Sequence, residues 1–362
     1  MAAAVAVTAF GGGGATPPPE PLAQAVHDAL AAPPVDGVTA RISFTNHLLG
    51  SDALGGLGGG GSPLLTGASG RLWATNDGHL RLELQSDSGD AQIVTDGQNL
   101  TVYDGTSNTA YELTLPKDAQ TPADRQGTTP TLDEITNALT ALGDYAGLSA
   151  ATPDSVAGQP AYTVELTPKD QGGLIGGGEV SFDAATGVPL HLALDARGST
   201  SPVLDLSVTD ISYGAVPASD VDLAPPAGAK VVNLLAPGGS GSSDGQSHVT
   251  GLGPVSAAVP FRLVAPDTVD GLPRSEVRLA GSGAAVTYGQ GLGSIVVFEH
   301  AAKAQSGPLD SLPSVSLGTA TGHELVTALG SAVSFEHSGV AFTVGGSVTQ
   351  ADAETAARAL AS

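Results

Sequence analysis

The residues best suited to chemistry are a tripeptide that occurs twice, Phe298-Glu299-His300 and Phe335-Glu336-His337, with His323-Glu324 between the copies. Imidazole and carboxylate together can hold zinc. Both copies fall in alternating, strand-like runs, however, and adjacent side chains on a strand point to opposite faces. The spacing therefore predicts residues on neighbouring strands, not a shared metal site. His47, His79 and His191 stand alone in sheet or loop and read as surface residues. There is no GxSxG elbow, HExxH, Walker loop or EF-hand spacing. The glycine clusters near Gly55 and Gly238 lack a following GK[ST]. Asn99-Leu100-Thr101 matches a glycosylation sequon, a weak signal on its own. The expectation is a chain that is not an enzyme and needs no metal or cofactor.

Composition narrows the classes further. The 362 residues are enough for two ordinary domains of roughly 150 residues each. Hydrophobic residues make up 41% and aromatics 4%, so the core is built from Val, Leu, Ala and Ile. A net charge of −23 repels phosphate backbones, which excludes nucleic acid, and argues against a polybasic grip on anionic lipid. With no cysteine, neither a disulfide framework nor an acylated lipobox is available. Fifty glycines and 25 prolines suggest a GC-rich bacterial genome of actinobacterial type.

Residues 1–19 include an apolar run of signal-peptide character without a basic n-region. The expectation is a signal whose start lies upstream, hence an extracytoplasmic protein; a flexible tail is the alternative. No apolar run of about 18 residues predicts a transmembrane helix.

The elements follow from periodicity. Leu22, Val26, Ala29 and Leu30 predict a helix over about Pro21 to Ala31, with proline in a first-turn position. Val38, Ala40, Ile42 and Phe44 alternate with Thr39, Arg41, Ser43 and Thr45, a strand with one buried face. The Gly-rich stretch Leu48–Gly67 carries six leucines and reads either as an insertion or as a flap over an apolar mouth. From Ser69 to Asp104 the chain reads as successive strands joined by Asn76-Asp77-Gly78, Ser86–Asp90 and Asp96-Gly97. Leu132, Ile135, Leu139 and Leu142 form a helical stripe, with Thr131 and Glu134 at capping-box spacing. Strands resume at "AYTVELTP", "GEVSFDAATGVPLHLALDA" and "PVLDLSVTDISYG".

Gly and Ser dominate residues 236–249, a flexible linker by composition. Beyond it, residues 250–362 read as an accessory α+β domain. Strands are predicted at "PFRLVAP", "SEVRLAG", "AAVTYG", "SIVVFEH", "AVSFEH" and "VAFTVGG", with helices at "GHELVTALG" and Gln350–Ala361.

The stretch "SGRLWATNDGHLRLELQSDSGDAQIVTDGQNLTVYD" resembles the core of LolA-type lipoprotein carriers, which show a G-x-L-W strand and a later "DG" turn before an aromatic-bearing strand. "VDG" at Val35–Gly37, "LTPK" at Leu166–Lys169 and "PPAGAKV" at Pro225–Val231 are similar to other landmarks of actinobacterial LolA-like proteins. The resemblance covers about residues 20–235. It implies an α+β fold in which an antiparallel half-barrel, covered by helices, binds acyl chains on its concave apolar face. A half-barrel joined to a smaller domain is also the layout of the RseB and MucB sigma-factor regulators. Gram-negative carriers place Arg-Pro after the G-x-L-W strand; Thr75-Asn76-Asp77 stands here, so a transfer step that needs that arginine is not implied.

The expected lining is Ile42, Phe44, Leu72, Leu80, Leu82, Leu84, Ile93, Leu100 and Val102, with Ile135 and Leu139 from the covering helix. A one-residue change of register would exchange faces and bring in Trp73 in place of Leu72. Expected partners are a lipid, an acylated lipoprotein or a lipopeptide, and no nucleic acid. The alternative is a regulator whose C-terminal domain captures a membrane-anchored anti-sigma protein in response to lipid or envelope stress.

Overall fold

The computed structural model describes residues 16–50, 61–115, 130–170, 172–234, 249–302 and 312–361. The proposed signal core, the leucines Leu54 and Leu57 and nearly all of the Gly/Ser linker lie outside the described residues.

Helix α1 (Leu22–Ala31) begins at Pro21 and is followed by β1 (Gly37–Asn46). A single turn, α2 (Pro63–Thr66), leads into a meander of β2 (Gly67–Thr75), β3 (Leu80–Ser86), β4 (Gly89–Thr95), β5 (Asn99–Asp104) and β6 (Thr109–Thr114). Gly97 has φ +84°, the left-handed conformation that the Asp96-Gly97 turn requires. Helix α3 (Leu132–Leu142) starts at the expected box, in which the Thr131 hydroxyl accepts from Glu134 N–H and the Glu134 carboxylate accepts from Thr131 N–H. Strands β7 (Ala146–Leu148), β8 (Thr152–Val156), β9 (Gln159–Pro168), β10 (Ile175–Asp183), β11 (Pro189–Ala196) and β12 (Leu204–Tyr213) follow. A turn of helix, α4 (Ala218–Val221), precedes β13 (Lys230–Leu234).

These thirteen strands form one open sheet in the order β13-β6-β5-β4-β3-β2-β1-β12-β11-β10-β9-β7, with β8 paired to β9. Every pairing is antiparallel except β13 with β6. The two ends of the order do not meet, so this is an unclosed half-barrel.

Cross-strand register assigns each side chain to a face. One row reads Val164, Val180, Leu192, Leu206, Phe44, Ala68; another reads Ala40, Leu72, Leu82, Ile93, Val102, Tyr111. This is the inner face, apolar from edge to edge. Helix α1 packs on it through Ala25 against Tyr162, Val164 and Phe182. The turn at Gly187 (φ +69°) lies so close to α1 that a Cβ there would sit 2.5 Å from the Ala29 carbonyl oxygen. Leu64 of α2 packs against Ile42, Leu84 and Ala91. The outer face is polar, with Arg41, Arg71, Glu83 and Gln92 in one row.

The second part comprises α5 (Leu252–Ala258), β14 (Thr268–Val269), β15 (Leu272–Ala280), β16 (Gly283–Tyr288), β17 (Ile295–Ala301), β18 (Ser314–Ser316), β19 (Thr321–Thr327), β20 (Gly330–His337), β21 (Val340–Gly346) and α6 (Gln350–Leu360). Its eight strands run β14-β15-β16-β17-β21-β20-β19-β18. Val286, Val297, Val344 and Val333 form a valine row beneath Ala353, Ala356, Ala357 and Leu360 of α6, a buried apolar core.

Two expectations in this part are corrected. "GHELVTALG" supplies strand β19 and the turn after it, not a helix, because pairing with both β18 and β20 outweighs its helical spacing. "PFRLVAP" forms no strand; it crosses the sheet as irregular chain, held where Glu299 accepts from Val264 N–H at 2.9 Å and Arg274 donates to the Ala265 and Pro266 carbonyls.

Candidate functional site

The apolar inner face is not covered evenly. Across β1–β4 it is closed: Ile42, Leu84 and Ala91 are buried, with Phe44, Leu64, Leu72, Leu82 and Leu206 packed around them. Across β9–β11 it is open. Leu192, in the middle of the row, remains 44% exposed although both of its cross-strand neighbours are apolar.

The open part is a groove of ≈ 520 Å³ with Leu166, Ile175, Val180, Leu192 and Leu194 on its floor. Strand β10 makes the groove deep. Gly178 stands directly between Leu166 of β9 and Leu194 of β11, so no side chain fills the space between the two leucines. One wall is the loop after α3, with Asp144 and Tyr145; Tyr145 is 77% exposed and forms an aromatic lip. The other wall comes from the second part of the chain, through Gly291 and Leu292.

That wall is fixed by hydrogen bonds between the two sheets. Leu292 N–H donates to Asp170 Oδ2 at 2.8 Å, and Leu174 N–H donates to the Ser347 hydroxyl at 2.9 Å. Backbone N–H donors from Gly172 and then Leu292 hold the Asp170 carboxyl below the usual carboxylate range. Ala328 N–H donates to the Leu48 carbonyl at 2.8 Å, beside a bridge between Leu49 and Thr327. Gly291 has φ +67°, and a Cβ there would overlap the Asp170 carboxylate at 1.9 Å. Only glycine lets these two loops approach so closely.

The register places Leu72 with Leu80, Leu82, Leu84, Ile93, Leu100 and Val102 on the inner face. Trp73 is on the outer face, where the Arg81 guanidinium lies 4.8 Å from its ring centroid. Ile42, Phe44, Leu72, Leu82 and Leu84 are brought together in one cluster. Ile135 is buried and Leu139 half-buried on α3, which packs on α1, while Leu132 and Leu142 are exposed. None of the twelve residues expected as lining, Trp73 included, lines the open groove, which uses the other half of the inner face. The signal for that half was available: "AYTVELTP" and "PLHLALDA" alternate as cleanly as the earlier strands, and "IGGG" marks a strand whose side chains are missing.

The chemistry-bearing residues do not converge. Glu299 is buried at 1% exposure on the inner side of its sheet, while Phe298 and His300 point the other way. Burial pushes the Glu299 carboxyl up to about 7. Among the described residues no cluster of three metal-ligating side chains occurs. His191 is not a plain surface histidine: its two ring nitrogens lie 2.9 Å from Glu179 Oε1 and 2.9 Å from Asp205 Oδ2, so one imidazole ring clamps β10, β11 and β12 on the outer face. Among the described residues no helix is long and apolar enough to cross a membrane.

No family profile matches the sequence, and no curated protein matches it. Solved structures are similar. One is the MucA/MucB complex of Pseudomonas aeruginosa, with 19% identity over 93% of this chain and 96% of that one, at a TM-score of 0.44. MucB solved without a named partner gives 20% identity over 93% and 96%, at a TM-score of 0.41. A LolA superfamily protein from Nitrosomonas europaea gives 11% identity over 56% of this chain and 98% of that one, at a TM-score of 0.23.

Proposed function

We propose that this chain is an extracytoplasmic, non-enzymatic binding protein that holds an acyl chain of a lipid, acylated lipoprotein or lipopeptide against the inner face of its half-barrel. The observation that carries this reading is the open groove over Leu192, an apolar floor continuous with the closed cluster at Ile42 and Leu84. An apolar concavity with few polar groups suits a greasy ligand. Each methylene withdrawn from water contributes ~0.8 kcal/mol, so a chain of ordinary length offsets the entropy of its own ordering. Asp144 and Asp170 stand at the rim of the groove.

Mass spectrometry of organic extracts from protein purified out of its native envelope tests the reading. A stoichiometric acyl lipid or lipopeptide, depleted in Leu192→Asp, is expected. Absence of lipid together with failure to take up a fluorescent fatty acid would overturn it.

The regulatory reading is favoured by one specific feature: Leu292 of the second part forms a wall of the groove, so an occupant would touch both parts of the chain. MucB, one of the similar proteins, has been solved in complex with MucA. Under this reading, fatty-acid loading changes the capture of a membrane-anchored partner, and Leu292→Ala weakens that dependence while leaving fatty-acid uptake nearly intact. Capture that ignores loading would remove the regulatory reading and leave the carrier reading.

A further inference from the structure

The outer face of the half-barrel holds an arrangement that the apolar groove does not use. Arg41 of β1 stands directly opposite Arg71 of β2, in a chain with 13 Lys and Arg against 36 Asp and Glu. It is the one cross-strand pair of two basic residues among the described strands. Like charges in directly opposed positions destabilise a sheet, and only the outer neighbours of this pair carry the opposite charge.

Across the strands Arg41 also faces Asp210 and Arg71 also faces Glu83, while the next positions along the strands are neutral hydrogen-bonding groups. Ser69, two residues from Arg71, stands opposite Ser43 on one side and Gln85 on the other. Arg41, Ser69, Arg71 and Gln85 are exposed and line a cavity of ≈ 570 Å³ together with Gly70 and Glu83. Neither guanidinium has an ion-pair or hydrogen-bond partner among the described residues. Acidic residues flank the pair without closing on it: Glu83 is bound by Arg81, and Asp210 stands opposite Arg41 on β12 with no ion pair formed. Strands β2 and β3 approach closely here, since a Cβ at Gly70 would lie 2.1 Å from the Glu83 carbonyl oxygen.

We propose that Arg41, Arg71, Ser69 and Gln85 form a site for a phosphoryl group on the outer face of the half-barrel. Two guanidinium forks with hydroxyl and amide donors beside them match a tetrahedral oxyanion, which can engage both forks through different oxygens. The overall charge of −23 opposes an extended polyanion and leaves a single phosphate-bearing small molecule or head group as the class of ligand. The site lies on the face opposite the apolar groove and does not rest on the acyl-binding reading.

The test uses the full chain at constant ionic strength. Glycerol 3-phosphate is titrated and followed by calorimetry, and sedimentation with phosphatidylglycerol-containing vesicles is compared with phosphate-free digalactosyldiacylglycerol vesicles. Saturable binding of either probe is expected, with Arg41→Gln and Arg71→Gln each weakening it by roughly tenfold, the usual scale for losing a charge-assisted contact. Arg278→Gln, an exposed arginine in the other sheet, is the control and is expected to bind as wild type. Glycerol 3-phosphate binding alone assigns a soluble phosphoester; vesicle binding alone assigns a lipid head group. No saturable binding of either probe, or equal binding by the Arg41→Gln/Arg71→Gln double variant, would overturn the proposal.

Discussion

Leu166 and Leu194 flank Gly178 on successive strands of one sheet, and no side chain stands between them. The missing side chain turns a flat apolar sheet face into a trough. Over Ile42, Gly70 and Leu84 the sheet is closed by Leu64 of α2; over β10, which carries Gly176-Gly177-Gly178, it stays open.

Filling the trough is therefore the first prediction. Gly178 does not occupy a left-handed conformation, and the new Cβ would lie 3.0 Å from the Ala193 carbonyl oxygen, so β11 must give slightly to admit a side chain. Gly178→Phe is expected to reduce fluorescent fatty-acid affinity at least tenfold, or about 1.4 kcal/mol, while far-ultraviolet circular dichroism stays unchanged.

Two leucines on the same face should separate stability from binding. Leu84 is 2% exposed and Leu192 is 44% exposed. Leu84→Ala is expected to destabilise by about 2–5 kcal/mol in urea unfolding, and Leu192→Ala by less than ~1 kcal/mol. Fatty-acid displacement should show the reverse order, with the larger loss at Leu192.

The His191 clamp gives a pH signature. Burial alone would lower the pKa of His191, but the hydrogen bonds and charges of Asp205 and Glu179 outweigh it and leave the imidazole above its ordinary value. Burial likewise opposes the Asp205 carboxylate, and the hydrogen bonds from Ser207 and His191 bring its pKa below normal. The histidine's contribution is fully present below its unfolded pKa of about 6.5 and is lost as pH rises through the folded value. The aspartate's contribution is present above its unfolded pKa of about 3.9 and is lost as pH falls through the depressed folded value. Thermal unfolding should thus be most favourable to the clamp in mildly acidic buffer, and His191→Gln should flatten the fall of Tm on the alkaline side.

Glu299 titrates in the same range for a different reason. One carboxylate oxygen accepts from Val264 N–H, the other has no partner, and burial raises the pKa to about 7. The folded state binds the extra proton, so stability falls as pH rises from the unfolded pKa through 7. Glu299→Gln should raise stability at pH 8 by roughly 2–4 kcal/mol and change it little at pH 5, as read by urea unfolding at the two values.

The order of strands in the half-barrel was legible because its turns are tight and its apolar positions alternate: Leu80, Leu82 and Leu84 share a face in the sequence and in the structure. The choice between Leu72 and Trp73 was not legible, since either register gives an apolar residue; pairing with Leu82 and Arg81 decides it. β19 was hidden because Leu325 and Leu329 carry helical spacing, and only its partners on both sides reveal a strand. The open groove escaped sequence reading for a third reason. Its defining residue is an absent side chain, and its second wall, Leu292, is distant in sequence from Leu192.

Photocrosslinking tests the central claim most directly. The full chain is loaded with a diazirine-bearing fatty acid, irradiated and mapped by peptide mass spectrometry. Crosslinks concentrated at Tyr145, Leu166, Leu192, Leu194 and Leu292 are the predicted result, lost in Gly178→Phe. Crosslinks confined to the outer face, or none above a background without irradiation, would contradict an acyl chain held on the inner face.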